Sequence, residues 1–165
     1  MNIYLNFCDI KNTLNNTIDL RDNIRYLYPK KNTVMNGEFT KILLSRNIVT
    51  MNGLYLYLPI TVEKKRTANN EVFIRYITNT TPNMMIVRDL KLMEKALLSH
   101  YQAYTKRSKQ IEYILDRQLS TNQIRVYHDN NNNNKLTKNN SYVIKISGIW
   151  ETDCKVGMTY KIMEL

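Results

Sequence analysis

The most regular hydrophobic pattern in the chain lies at residues 54–62. Leu54, Leu56, Leu58, Ile60 and Val62 alternate with Tyr55, Tyr57, Pro59 and Thr61. A period of two predicts a strand with the aliphatic set on one face and the two tyrosines on the other. Pro59 has no N–H for a ladder, so this strand belongs at an edge or carries a bulge. Asn52-Gly53 just before it is a strong turn signal, and Phe39–Leu44 reads as an earlier strand. Glu63–Asn70 reads as a polar loop holding Lys64-Lys65-Arg66. Glu71–Ile77 reads as a strand that pairs back on residues 54–62 as a hairpin, and Thr78–Asn83 as a turn.

The period then becomes helical. Leu90, Met93, Leu97, Tyr101 and Tyr104 recur at spacings of three and four, which predicts a helix over 87–106. Thr105–Lys109 is a basic connection and Ile111–Leu119 reads as a second, shorter helix, so 87–119 forms a helical insertion. Strands follow at Gln123–Tyr127, at Ser141–Ile149 with Tyr142, Ile144 and Ile146 on one face, and at Met158–Met163 after a turn at Gly157. Residues 1–33 are polar and read as an N-terminal cover, with Ile18–Tyr28 as a short helix or irregular segment. Residues 129–140 include five consecutive asparagines, Asn130–Asn134, and read as a mobile loop. The plan is mainly β with a helical insertion, an α+β class in one domain over 1–165, without βαβ repetition.

Composition adds a qualification. The chain holds 22 Asn, 17 Ile, 15 Lys and 12 Tyr against 4 Gly, 3 Ala and 3 Pro. The abundant residues have AT-rich codons, so much of the formal charge of +10 reflects a genome rather than a ligand. A hydrophobic content of 43% excludes a wholly disordered chain, and no apolar run is long enough for a membrane helix. Met1–Phe7 is short, uncharged and broken by Asn, unlike a signal peptide. Cys8 and Cys154 therefore read as reduced thiols, and the expected location is cytoplasmic. The Asn-x-Ser/Thr triplets at Asn15, Asn79 and Asn139 are chance products of an Asn-rich chain.

Signals of catalysis are missing. His100 and His128 are far apart, and two His with two Cys fit no usual zinc spacing. Four isolated glycines make no phosphate loop, no Gly-x-Ser-x-Gly elbow occurs, and the 14 acidic residues are scattered. The chain is expected to be no enzyme and to need no metal or cofactor.

Basic and aromatic residues interleaved on strands form the chemistry that is present. Tyr55 and Tyr57 lie opposite the leucine run, Phe73 shares a face with Arg75, and Arg125 shares one with Tyr127. Lys30, Lys31, Lys41, Lys64, Lys65 and Arg66 are near in sequence, and residues 21–66 carry nine Lys and Arg against three acids. Such a face suits single-stranded nucleic acid, because every base has a π-face and cations follow the phosphates. Each residue alone also has a bland reading. A strand tyrosine can pack under the long helix, Lys64-Lys65-Arg66 can be a solvated turn, and the Leu90–Tyr104 stripe can be core. Trp150, the only tryptophan, fits either a stacking platform or a core anchor.

Three segments carry a family resemblance: Met35–Ser45 with Met51–Leu56; Leu90–Tyr104 with Gln118-Leu119 and Ile124–Tyr127; and Ile144–Thr152 with Gly157–Lys161. Ser147-Gly148-Ile149-Trp150-Glu151-Thr152, followed by Gly157-Met158-Thr159-Tyr160-Lys161, is the most specific part. Over residues 33–163 the chain resembles the poxvirus-type single-stranded DNA-binding proteins of nucleo-cytoplasmic large DNA viruses. Relatives of that family occur in cytoplasmic linear plasmids of yeasts, whose AT bias matches the composition. The resemblance implies an OB-like β-barrel of five or more strands that coats single-stranded DNA during replication, without catalysis. It carries over at Phe39, Tyr55, Tyr57, Trp150, Tyr160 and Lys161. The acidic C-terminal tail of many replicative single-strand binders has no counterpart in Lys161–Leu165, which puts tail-mediated recruitment in doubt.

The sequence thus predicts nucleic-acid contacts at Phe39, Lys41, Tyr55, Tyr57, Lys64, Lys65, Arg66, Phe73, Arg75, Arg125, Tyr127, Trp150, Tyr160 and Lys161. The expected partner is single-stranded DNA, with RNA or DNA ends as alternatives, and the chain could oligomerise along the strand or meet replication proteins. The rival reading is an accessory subunit of a replication or transcription complex that docks a partner through the Leu90–Tyr104 helix. No membrane association is expected.

Overall fold

Strands β10 (Tyr142–Glu151) and β11 (Lys155–Glu164) form the longest ladder and the centre of the molecule. The computed structural model describes residues 23–46, 49–68, 71–127 and 141–165. The other elements, in chain order, are β1 (Ile24–Tyr26), β2 (Lys30–Lys31), β3 (Glu38–Arg46), β4 (Val49–Met51), β5 (Leu54–Leu58), β6 (Val62–Ala68) and β7 (Glu71–Tyr76). They continue with helix α1 (Thr81–Thr105), β8 (Gln110–Glu112), helix α2 (Ile114–Ser120) and β9 (Gln123–Tyr127). The strands join in one mixed sheet, ordered β1-β3-β10-β11-β9-β7-β6, with β2 and β4 on β3, β5 on β10 and β8 on β11. The two ends of that path, β1 and β6, do not pair with each other, so the sheet is open and the expected closed barrel is not formed among the described residues. The molecule is mainly β with a helical insertion, an α+β architecture.

Two long strands bend the sheet. β10 pairs with β5 through Tyr142–Ile146 and with β3 through Gly148–Glu151, and a bulge falls between Ile146 and Gly148. A bulge adds a residue on one strand only and increases local twist, so β10 leaves one partner and meets another. β3 likewise pairs with β2 and β10 through its first half and with β1 and β4 through its second. The Asn52-Gly53 turn has Gly53 at φ 106°, where a Cβ would lie 2.6 Å from the Ile146 carbonyl oxygen. Only glycine fits there, and the chain swings from the β4 pairing to the β5 pairing around it.

The core lies on one face of this sheet, under the helices. Leu54, Leu56 and Leu58 are buried as the alternation predicts, together with Ile74, Ile124, Ile144, Ile146, Ile149, Met158 and Ile162. α1 covers them with Leu90, Met93, Leu97 and Tyr101. The Leu90–Tyr101 stripe therefore belongs to the chain's own core, whereas Tyr104 is 62% exposed. On the outward side of α1, Met84, Met85 and Leu92 remain exposed. A buried polar network pins the far end of α1. The Tyr101 hydroxyl donates to Glu151 Oε1 at 3.1 Å and lies 2.9 Å from Thr40 Oγ1. Glu151 also pairs with Lys109 at 2.9 Å and Arg107 at 3.2 Å. Burial pushes the Glu151 carboxyl up, but Lys109, Tyr101 and Arg107 outweigh that and hold it below its usual range.

Several sequence expectations need correction. Ile24–Tyr26, expected as helix or irregular cover, is a strand, because β3 offers it an edge at Ile42–Leu44. The strand expected over 54–62 stops at Leu58, one residue before Pro59. The expected polar loop at 63–70 is largely strand β6, and the hairpin partner of β7 is β6 rather than β5. β6 exposes nearly every side chain, so it has no apolar period to read; its charges suit an edge strand that must not pair further. α1 begins six residues earlier than expected. Pro82 reads as a breaker but is tolerated in a first helical turn. Asn83 secures that turn, accepting from Thr61 N–H and donating to the Thr61 and Ile77 carbonyls. The expected helix over 111–119 divides into β8, paired in parallel with β11, and α2. Gly157 lies inside β11, not at a turn: a Cβ there would collide with the Trp150 indole packed over it.

Residues 1–22, the His128 position, the Asn-rich segment 129–140, and Cys8, Asn15 and Asn139 lie outside the described residues. Cys154 is an exposed free thiol. No described helix is long and apolar enough to cross a membrane.

Candidate nucleic-acid interface

Cross-strand partners share a face of a sheet, so the register decides which side chains stand together. Lys30 opposes Phe39, Phe39 opposes Trp150, and Trp150 opposes Gly157. Lys41 opposes Gly148, whose other partner is Thr159. Tyr55 opposes Lys145, whose other partner is Lys161. Tyr57, Val143, Met163 and Tyr127 form a row across four strands. Arg125 opposes Phe73, which opposes Arg66; Gln123 opposes Arg75, which opposes Lys64. All these rows lie on the face away from the helices, because the intervening positions are Ile144, Ile146, Ile162, Val126 and Ile74 of the core.

The structure thus brings twelve of the fourteen expected contact residues onto one outer face: Phe39, Lys41, Tyr55, Tyr57, Lys64, Arg66, Phe73, Arg75, Arg125, Tyr127, Trp150 and Lys161. The reading of Tyr55 and Tyr57 as packing under the long helix is excluded, since α1 lies on the opposite side. Two expected residues separate from the rest. Lys65 opposes Ile74 and pairs with Glu164 at 2.7 Å, and Tyr160 opposes Ile146 on the core side. Strand periodicity accounts for both, because each is one residue away from a member of the outer set.

Aromatic rings on this face are half-buried, open enough to offer a surface and packed enough to be held. Cations lie against them: Lys145 Nζ is 5.0 Å from the Tyr55 ring centre, and Arg125 and Lys161 stand 4.9 Å and 5.4 Å from that of Tyr127. Trp150 is 7% exposed and lies over Gly157, so it is held against the sheet and borders the face with little of its ring open. Lys64, Arg66, Phe73, Arg75 and Gln123 line a shallow cleft of about 360 Å³ over β6, β7 and β9.

Among the described residues, the face carries little compensating negative charge. Arg125 pairs with Glu71 at 2.7 Å and Arg75 with Glu63 at 3.5 Å, all partly exposed. Exposed pairs of this kind are worth roughly 0.2–1 kcal/mol, so they hold the two guanidiniums only weakly. Lys145 escaped the sequence reading although its signal was legible: it alternates with Ile144 and Ile146, which places it opposite the core. Lys30 joins the face only through the two-residue strand β2, which no periodicity marks. Among the described residues, no group of three His, Cys, Asp or Glu side chains is close enough to hold a metal ion.

No protein-family model, curated protein or solved structure matches the chain.

Proposed function

We propose that this protein is a non-enzymatic, sequence-tolerant single-stranded DNA-binding protein that coats exposed strands during replication, in the cytoplasm. One observation carries the reading: Phe39, Tyr55, Tyr57, Phe73 and Tyr127 alternate with Lys and Arg along adjacent rows of the one face turned away from the described helices. Aromatic rings stack on unpaired bases, each worth about 1–3 kcal/mol, and the cations beside them follow the backbone. Paired bases keep their π-faces inside the duplex, so the same face discriminates against double-stranded DNA. The resemblance to poxvirus-type single-strand binders supports the replicative role. The rival reading, partner docking through α1, loses the Leu90–Tyr101 stripe to the internal core.

Filter binding at low salt against single-stranded DNA, duplex DNA and single-stranded RNA tests this proposal. The expected result is preferential retention of single-stranded DNA, with affinity falling steeply as salt rises. Equal retention of duplex, or no retention, overturns it. Complete competition by RNA overturns the DNA assignment and supports an RNA-binding role.

A further inference from the structure

The sheet has an opening beneath the candidate interface. β8 pairs with β11 over Lys155–Gly157, and β9 pairs with β11 at Ile162 and Met163. Between them, residues 158–161 of β11 have, among the described residues, a strand partner on the β10 side alone. A cleft of about 320 Å³ occupies this gap. Its rim comes from the outer face: Arg125, Tyr127, Trp150 and Thr159. Its floor comes from below, where Gln118 of α2 meets Tyr160 and Ile162 of the core side. Tyr160, turned away from the other expected contacts, therefore still borders the surface they form.

The floor is polar at one point. The Tyr160 hydroxyl donates to Gln118 Oε1. This leaves Gln118 Nε2 as a donor and the Tyr160 oxygen as an acceptor, side by side. An adjacent donor and acceptor match the hydrogen-bonding edge of a nucleobase, while the Tyr127 phenol and Arg125 guanidinium of the rim match its faces. The volume lies at the lower end of the range for ligand clefts, about 300–1,000 Å³, which suits a single flat heterocycle. Trp150 and Thr159 also wall a neighbouring cleft with Phe39 and Lys31, where the strand can continue.

We infer that the gap between β8 and β9 is a base-reading subsite, into which one nucleobase of a bound single strand turns edge-first towards Gln118 and Tyr160. The inference rests on the single-strand reading above and adds a base preference to it. Pyrimidines stack least with their neighbours, so a thymine leaves the strand at less cost than an adenine.

Trp150 is the only tryptophan and stands on the rim, so its fluorescence reports occupancy from one source. The experiment titrates the full chain with thymidine and adenosine homopolymers and with a sugar-phosphate polymer lacking bases. Both homopolymers are expected to bind, thymidine more tightly by about threefold to tenfold, because the more easily unstacked base reaches the floor and gains the one neutral hydrogen bond there. Thymidine shifts the Trp150 emission and the base-free polymer does not. Gln118→Met abolishes the thymidine preference. Tyr160→Phe keeps the ring packing and reads the same loss if the first variant melts early. Unchanged Trp150 emission at saturation with thymidine polymer, or a thymidine preference that survives both variants, overturns the subsite. Failure of every strand to bind overturns the single-strand reading itself, so the two failures are distinct.

Discussion

Lys64, Lys65 and Arg66 are neighbours in sequence but separate across β6. Lys64 and Arg66 stand beside Arg75 and Phe73 on the outer face, while Lys65 turns to Glu164. This difference supplies an internal control. Lys64→Gln and Arg66→Gln are each expected to reduce the slope of log affinity against log salt by about 0.7, the value for one phosphate contact on a single strand. Lys65→Gln leaves the slope unchanged. Phe73→Ala weakens binding by about 1–3 kcal/mol with the slope intact, because stacking releases no counterion. Salt titrations of the four variants check all of this, and a slope that responds equally to Lys65 removes the outer face as the interface.

The helical insertion is secured at its ends rather than along its length alone. Asn83 ties the start of α1 to the β5–β6 connection. Glu94 accepts from the N–H groups of Leu115 and Asp116, both at 2.9 Å, and so caps α2, whose own N-cap position holds Tyr113 without a side-chain bond. Burial raises the Glu94 carboxyl above its usual range despite those donors. Glu151 closes the other end, and its carboxyl is held low. A depressed carboxyl contributes stability above its unfolded value of 4.5 and loses it as pH falls through the lowered folded value. Thermal melts are therefore expected to weaken below about pH 4.5, and Glu151→Gln to flatten that fall. At neutral pH, Glu151→Gln costs about 1.5–3 kcal/mol, the value of hydrogen bonds to a charged group. An identical acid limb in wild type and variant assigns the fall to other carboxylates.

At the scale of the molecule, protection is expected to be graded from centre to edge. β10 is flanked on both sides and nearly all buried, whereas β6 pairs with β7 alone and is almost wholly exposed. Native-state hydrogen exchange should find the amides of Ile144, Ile146 and Ile149 slowest, and those of β6 among the fastest of the strands. Equal protection in β6 and β10 would contradict the open sheet. A candidate interface that spans both regions has a rigid floor at Trp150 and Tyr55 and a looser margin at Lys64 and Arg66.

Much of the local structure was legible in the chain. Alternation at 54–58, 71–76, 123–127 and 142–149 determined the strands and which of their residues face away from the core. Spacings of three and four did the same for α1. Partnership was not legible, because a strand's period is the same whichever strand it pairs with. Only the tertiary structure decided that β7 pairs with β6, that Lys65 and Tyr160 leave the outer face, and that Gly157 lies under Trp150. Segments too short or too polar to hold a period, β1, β2, β6 and β8, exist because a neighbouring edge satisfies their backbone. The gap between β8 and β9 is of the same kind. No residue in it signals a cleft, and it exists because two short strands pair with β11 and leave four residues between them.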